Sequence, residues 1–362
     1  MAGDILKGWP VQDFLRRTGA RAPIVQAPMA GAGGVALAAA AIRGGAVGSL
    51  PCAMLMPDQV REQVAAVRAQ AEGPLNLNFF CHRLGDQPEE TAWHALLQPF
   101  YDKEGVGPPE NPPPLRAPFD EAMCRLVEEL QPEIVSFHFG LPEPRLLDRV
   151  RRRTLVFGNA TTFAEAQWMI DKVDMIIAQG FEAGGHAGHF LDGYRPMGAM
   201  TLTRQVVSEA DVTLQPVIAA GGIGDAVGIA AALMLDAGAV QLGTAYLHTA
   251  EATISAAHRA ALGQETVVTN LFSGGLARGV RNKLIDAIGP VHPDAPRFPY
   301  ASAALAELRR TAEADGRGDY SPMWAGQAAA LGRPLAGQPP EGAQALTERL
   351  AREVFDLLGE TP

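Results

Sequence analysis

PVIAAGGIGDAVGIAAALMLDAGAVQLGTAY, residues 216 to 246, holds one complete structural round. Pro216 to Ala220 is an apolar run too short for a helix, Gly221 to Asp225 is a glycine loop, Ala226 to Leu235 has a helical pattern, and Ala239 to Gly243 is a second apolar run. Runs that are apolar throughout, with no alternation, belong to strands covered on both faces, which is the mark of a parallel sheet. The stretch therefore reads as strand, loop, helix and strand.

Working outward, the same alternation recurs in eight rounds. The expected strands are Ile24 to Ala30, Ala46 to Leu50, Leu75 to Phe80, Ile134 to Gly140, Leu155 to Ala160, Met175 to Gln179, Pro216 to Ala220 and Ala239 to Gly243. Helical patterns lie between them at Ala36 to Arg43, Pro57 to Ala71, Phe119 to Leu130, Pro144 to Arg152, Phe163 to Asp171, Thr203 to Ala210, Ala226 to Leu235 and Ala250 to Leu262, with one more at Val11 to Arg17. Eight strands alternating with helices predict an α/β fold, a (β/α)8 TIM barrel. A doubly wound open sheet is the alternative, but GAGG at Gly31 to Gly34 matches its GxGxxG fingerprint poorly.

The barrel is expected over residues 1–264. Residues 81–118 form a proline-rich insertion after the third strand, with Pro108-Pro109 and Pro112-Pro113-Pro114, expected as a lid on the active-site face. Residues 265–362 are expected to be mostly helical, at Gly279 to Ala287, Ala301 to Ala314, Met323 to Leu331 and Ala343 to Leu358, and to pack on that same face. Arg278, Arg281 and Lys283 read there as a basic, solvated helix face.

In such a barrel the ligand sits where strands end, and phosphate commonly binds the loops after the last two strands. Gly221, Gly222 and Gly224, with Gly243 and Thr244, can supply bare amides and a hydroxyl to an anion. Pro28 and Met29 offer an apolar ledge, and Asn78 and Gln179 offer carboxamides to a polar ring edge. A phosphate pocket, a ledge and two carboxamides suit flavin mononucleotide, FMN. QGFEAGGHAG, residues 179 to 188, displays one imidazole, His186, among glycines free to take positive φ.

PIVQAPMAG, NFF, QGFEAGGHAG, PVIAAGGIG, QLGTAY and WAGQAA, beginning at Pro23, Asn78, Gln179, Pro216, Gln241 and Trp324, resemble in this order the nitronate monooxygenase family, class I. The resemblance runs from about Pro10 to Leu331. It implies non-covalent FMN touching Pro28, Met29, Ala30, Asn78, Gln179, Gly184, Gly221, Gly222, Gln241, Leu242, Gly243 and Thr244. It further implies oxidation of alkyl nitronates, propionate 3-nitronate in particular, with molecular oxygen to an aldehyde and nitrite or nitrate. His186 falls on the family's active-site histidine, and Tyr300 aligns with a family tyrosine that closes the substrate pocket. His138, at the end of the fourth expected strand, is expected from its position to point at the same cavity and touch substrate. An imidazole near neutrality can take an α-proton from a nitroalkane, or orient a nitronate that is already an anion.

His82 and His189 read as loop histidines, and Glu182 as a solvated or cap-forming acid. His186 and His189 form only HxxH, so no metal site is expected. Rival readings are a flavin barrel reduced by NAD(P)H, acting on quinones or enoyl thioesters, a phosphate-binding barrel without flavin, and a non-catalytic flavin protein.

The 362 residues are 47% hydrophobic and 19% charged, the balance of a globular enzyme. A net charge of −10 argues against nucleic acid or an anionic membrane as partner. Three cysteines without a CxxC pair suggest neither disulfides nor zinc and fit a reducing cytoplasm. The N-terminus has no signal-like apolar core and Val35 to Ile42 is too short to span a bilayer, so a soluble monomer or homodimer is expected.

Overall fold

The computed structural model describes residues 5–111, 114–192, 194–210, 215–333 and 339–359. Pro112 and Pro113 of the proline run lie outside the described residues.

Eight parallel strands form the barrel: β1 (Ile24–Gln26), β2 (Gly48–Pro51), β3 (Leu75–Phe80), β4 (Ile134–His138), β5 (Leu155–Ala160), β6 (Met175–Gln179), β7 (Val217–Ala220) and β8 (Ala239–Leu242). Each pairs with its sequence neighbour, and β8 returns to β1 with Val240 opposite Ile24. The ring closes between β1 and β2, where Val25 bridges Val47 and the Gln26 and Val47 amides donate to Val47 and Ile24 carbonyls, each at 2.9 Å. The open-sheet alternative is thereby excluded. β1 stops four residues short of its expected end: Ala27 N still donates to Leu242 O at 2.9 Å, but Pro28 has no N–H to continue the ladder.

The strands do alternate, though both sets of side chains are buried. Leu75, Leu77 and Phe79 of β3, Val135 and Phe137 of β4 and Ile176 and Ala178 of β6 pack outward under the helices. Val25, Val47, Ile134, Phe157, Met175, Ile177 and Ile218 fill the barrel interior, with Phe14 of the N-terminal helix Trp9–Thr18 plugging the lower end. Further along the same inward rows come Asn78, Asn159, Gln179 and Gln241. The interior therefore changes from apolar to polar toward the strand C-termini, where TIM-barrel ligands bind.

Helix Ala343–Leu357 packs against helices Val35–Gly44 and Ala226–Met234, which flank β1 and β8. It thus takes the place of the eighth barrel helix, although a long stretch of chain separates it from β8. Of the segment expected as a single helix from Ala250 to Leu262, only Ala256–Ala261 is helical, capped by Ser255 Oγ on His258 N, and a separate short helix, Thr244–Leu247, precedes it.

The remaining tail and the insertion form a second core. Within the insertion, helix Thr91–Glu104 buries Trp93, Leu97 and Tyr101 against Leu271, Leu284, Leu305 and Leu308. Burying each such side chain stabilises the docking by roughly 1.5–3 kcal/mol. Tyr101 Oη donates to Ala304 O at 2.7 Å, and Arg317 grips both oxygens of Glu104 at 3.1 and 2.7 Å. The insertion is thus a helical element anchored to the tail.

The expected helix from Gly279 to Ala287 is replaced by a strand followed by a helix. Thr266–Thr269 and Ala277–Val280 form an antiparallel hairpin, and Asn282 Oδ1 then caps helix Lys283–Ile288. Arg278 lies on that hairpin and is buried, contrary to its reading as part of a solvated helix face.

Candidate active site

The histidine loop leaves β6 and becomes the third strand of the tail hairpin, with His186 opposite Ala277 and Gly185 opposite Arg278. Arg278 Nε donates to Phe181 O at 3.0 Å, and Ala187 N donates to Leu276 O at 2.9 Å. Gln179 ends β6 by donating Nε2 to His186 O at 3.0 Å while accepting from Asn159 Nδ2 at 2.8 Å. The imidazole is therefore fixed from both the barrel and the tail. Of the loop glycines flanking His186, Gly185 takes a left-handed φ of 75°. Gly184 and Gly188 serve close approach instead: a Cβ on Gly184 would lie 2.6 Å from the Ala325 carbonyl carbon.

His186 Nε2 shares a 2.9 Å hydrogen bond with Ser273 Oγ. Four aromatic rings surround it, with centroids at 5.2 Å for Phe298, 5.6 Å for Trp324, 5.8 Å for Phe139 and 6.2 Å for Phe80. Burial holds the His186 imidazole well below its ordinary pKa, and the charge of Arg116 and the neighbouring His138 and His82 push the same way. His138, at the end of β4, is pushed down to about 4 by burial, and its ring lies against Gly188. Burial lowers His82 as well, and its Nε2 bonds Arg116 O at 3.0 Å.

These three histidines predict an acid response. The unfolded chain takes up protons near pH ~6.5, whereas the folded site resists them to lower pH, so the unfolded state binds more protons in that window. Stability is expected to fall as pH drops below about 6.5. A melting temperature measured from pH 7.5 to 5 checks this, and a flat profile would contradict it.

The sequence-expected contacts fall in two groups. Asn78, Gln179, Gln241 and His138 stand at inward positions of strand C-termini, with Asn78 Nδ2 donating to Ser136 Oγ at 2.9 Å. Gln241 Oε1 is buried and unpartnered among the described residues. Pro28, Met29 and Ala30 follow β1, where Met29 Sδ lies 3.8 Å from the Cβ that Gly243 lacks. Leu242 is buried in the shell around that turn. Gly221 and Gly222 take φ of 98° and 70° after β7, beside Ala183 and Glu182. Thr244 Oγ1 accepts from Gly326 N at 2.9 Å, and Gly326 also abuts Gly184.

Tyr300 stands apart. It is buried with Oη donating to Gly85 O at 2.8 Å, so its hydroxyl ties the tail to the insertion. Glu182 caps helix Ala199–Ala210 by accepting from Ala199 N at 2.9 Å. His189 stacks on Tyr194 at 4.4 Å. The residues that sequence reasoning missed are Ser273, Phe139, Phe298 and Arg116, which reach the site only through tertiary contacts. Trp324 lay within a recognised motif but had no role assigned to it.

A family model described as nitronate monooxygenase matches residues 14–337. The chain belongs to the nitronate monooxygenase family. It is 41% identical over 327 residues to a nitronate monooxygenase of Paraburkholderia phytofirmans, covering 86% of this chain and 88% of that one. To a nitronate monooxygenase of Pseudomonas aeruginosa it is 39% identical over 337 residues, covering 89% and 95%. The solved structure of nitroalkane oxidase from Streptomyces ansochromogenes superposes with a TM-score of 0.81 at 31% identity, over 93% and 97% of the chains. FabK from Thermotoga maritima shares the fold, with a TM-score of 0.71 at 22% identity over 96% and 97%.

This nitronate monooxygenase family member is accordingly an oxidoreductase, and its family implies a flavin. The donor set fits one: paired left-handed glycines, a bare amide at Gly243 beside the Met29 ledge, and an orphaned acceptor on Gln241 inside the barrel. Among the described residues no helix is long and apolar enough to cross a membrane, and no group of His, Cys, Asp or Glu is placed to hold a metal ion.

Proposed function

We propose that the protein is an FMN-dependent monooxygenase that oxidises alkyl nitronates, propionate 3-nitronate among them, with molecular oxygen to an aldehyde and nitrite or nitrate. The observation that carries this reading is the His186 imidazole, fixed by Ser273 and held below its ordinary pKa by burial, in an aromatic enclosure at the barrel's C-terminal end. We place this activity in a reducing cytoplasm, in a monomer or homodimer.

Gly221, Gly222, Gly243 and Thr244 would hold the phosphate of FMN. Asn78, Gln179, Gly184, Gln241 and Leu242, with the Pro28–Ala30 ledge, would bound the rest. Bound FMN would supply the electron transfer, which no side chain here can perform. The chain's own groups position the substrate and handle its proton. Ser273 Oγ donates to Gly275 O at 3.3 Å, so we assign His186 Nε2–H as donor to Oγ, with the lone pair on Nδ1. A neutral imidazole of that tautomer can accept the α-proton of a nitroalkane at Nδ1. Toward a nitronate, already deprotonated, it serves to orient the anion. Phe80, Phe139, Phe298 and Trp324 exclude water and offer an apolar surface to the alkyl chain.

Ser273→Ala removes the bond that orients the ring. A net hydrogen bond of about 1–1.5 kcal/mol corresponds to roughly a tenfold change in rate. We expect kcat/KM for nitroethane to fall about tenfold with flavin content unchanged. Steady-state oxygen uptake measures it, and an unaltered rate would remove Ser273 from the mechanism.

The reading as a whole is tested by comparing substrates in the oxygen electrode. Propionate 3-nitronate should drive oxygen uptake with release of nitrite, and NADH with a quinone should not. Turnover with NADH alone would favour the reductase instead.

A further inference from the structure

The aromatic enclosure has a cation at its edge. Arg116 ends the insertion, half-buried, and its backbone carbonyl accepts from His82 Nε2 at 3.0 Å. Its guanidinium carbon stands 5.9 Å from the centre of the Phe298 ring, the same ring whose centre is 5.2 Å from His186. Phe298 is thus the shared wall between the imidazole and the guanidinium.

What Arg116 lacks is an acid. Among the described residues no carboxylate lies within ion-pair distance of it, and its side chain donates no hydrogen bond within the protein. Its charged neighbour is a second cation, Arg309 of helix Ala306–Ala314, whose proximity together with burial depresses the Arg116 guanidinium. Arg309 has Glu313 at 3.6 Å, leaving a local positive excess in a chain of net charge −10. A half-buried guanidinium with a second cation and no acid beside it is costly unless something anionic joins it. Phe298 accounts for part of the placement through a cation–π contact, but at this distance the contact leaves the five N–H donors of the guanidinium unused.

We propose that Arg116 is a specificity-determining residue that receives a carboxylate at the far end of the substrate while His186 attends to the nitro or nitronate end. The inference rests on the nitronate-oxidising reading above and names the group that would hold the carboxylate of its substrate. A planar guanidinium pairs with a carboxylate through two parallel hydrogen bonds, and Phe298 provides an apolar wall for the short carbon chain between the two charged ends.

The test compares two ligands that differ in the carboxylate, using FMN-loaded protein. Dissociation constants for 3-nitropropionate and nitroethane are measured by calorimetry for the wild type, Arg116→Met and Arg116→Lys. KM and kcat are then measured for the corresponding nitronates. Arg116→Met should weaken 3-nitropropionate on the order of ten- to a hundredfold, as expected for a charge-assisted pair, and leave nitroethane within about twofold. The effect should fall on KM rather than kcat, and Arg116→Lys should recover part of it. Equal weakening of both ligands, no weakening of 3-nitropropionate, or a wild type that binds neither would overturn the assignment. A carboxylate-selective loss of binding in a protein that oxidises no nitronate would instead sustain Arg116 and refute the proposed function.

Discussion

His186→Asn is expected to retain FMN and lose most of its activity on neutral nitroalkanes. A positioned general base contributes on the order of 10²–10⁴ in rate, so kcat/KM for nitroethane should drop by about that factor. For propionate 3-nitronate the proton is already gone, and the loss should be closer to tenfold, the order of a lost orienting contact. Asn keeps a donor for Ser273, which preserves the loop and isolates the chemistry. The pH profile adds a second check with a definite sign. Burial lowers the His186 pKa, so the base form persists below the ordinary imidazole range of about 6.5. Wild-type nitroalkane oxidation should therefore stay level as pH falls through that value and decline only at more acidic pH. Equal steady-state rates for wild type and variant would remove His186 from catalysis.

Gly222→Asp should abolish flavin retention while leaving the barrel folded. Three effects act together. Gly222 sits at φ 70°, where any side chain is strained. A Cβ there would lie 3.2 Å from the Glu182 side chain, whose carboxylate caps helix Ala199–Ala210. The new carboxylate would also face both Glu182 and the expected phosphate, so like charges would meet. We expect the flavin content of the purified protein to fall at least about tenfold, the scale of a single charge repulsion of 1.4 kcal/mol or more. Gly222→Ala separates strain from charge and should retain substantially more flavin. Unchanged occupancy in the Asp variant would relocate the phosphate.

The barrel was legible because each strand carries its own signal. β3, β5 and β6 begin and end at the residues that the apolar runs mark, since buried parallel strands bounded by loops leave a local imprint. The inward side chains at strand ends, Asn78, Gln179 and Gln241, were legible for the same reason: a strand's last polar residue already says where it points. The hairpin Thr266–Thr269 with Ala277–Val280 was not. Its third member is Gly185–His186, far off in sequence, and a non-local pairing leaves no local period. A helix expected from Gly279 to Ala287, with Arg278 on its basic face, made Arg278 look solvated, although it holds the histidine loop through Phe181 O. Ser273, Phe298 and Arg116 were invisible on the same ground, each unremarkable in its own segment. Helix Ala343–Leu357 was recognised as a helix, while its place in the barrel ring depends on a chain path that no periodicity records.

The most direct measurement is a visible spectrum of the purified protein, followed by anaerobic addition of propionate 3-nitronate in the same cuvette. The account expects flavin bands that bleach with the nitronate, ignore NADH and return on admitting air. A protein that shows flavin bands indifferent to the nitronate, or that stays colourless after reconstitution with FMN, would contradict it.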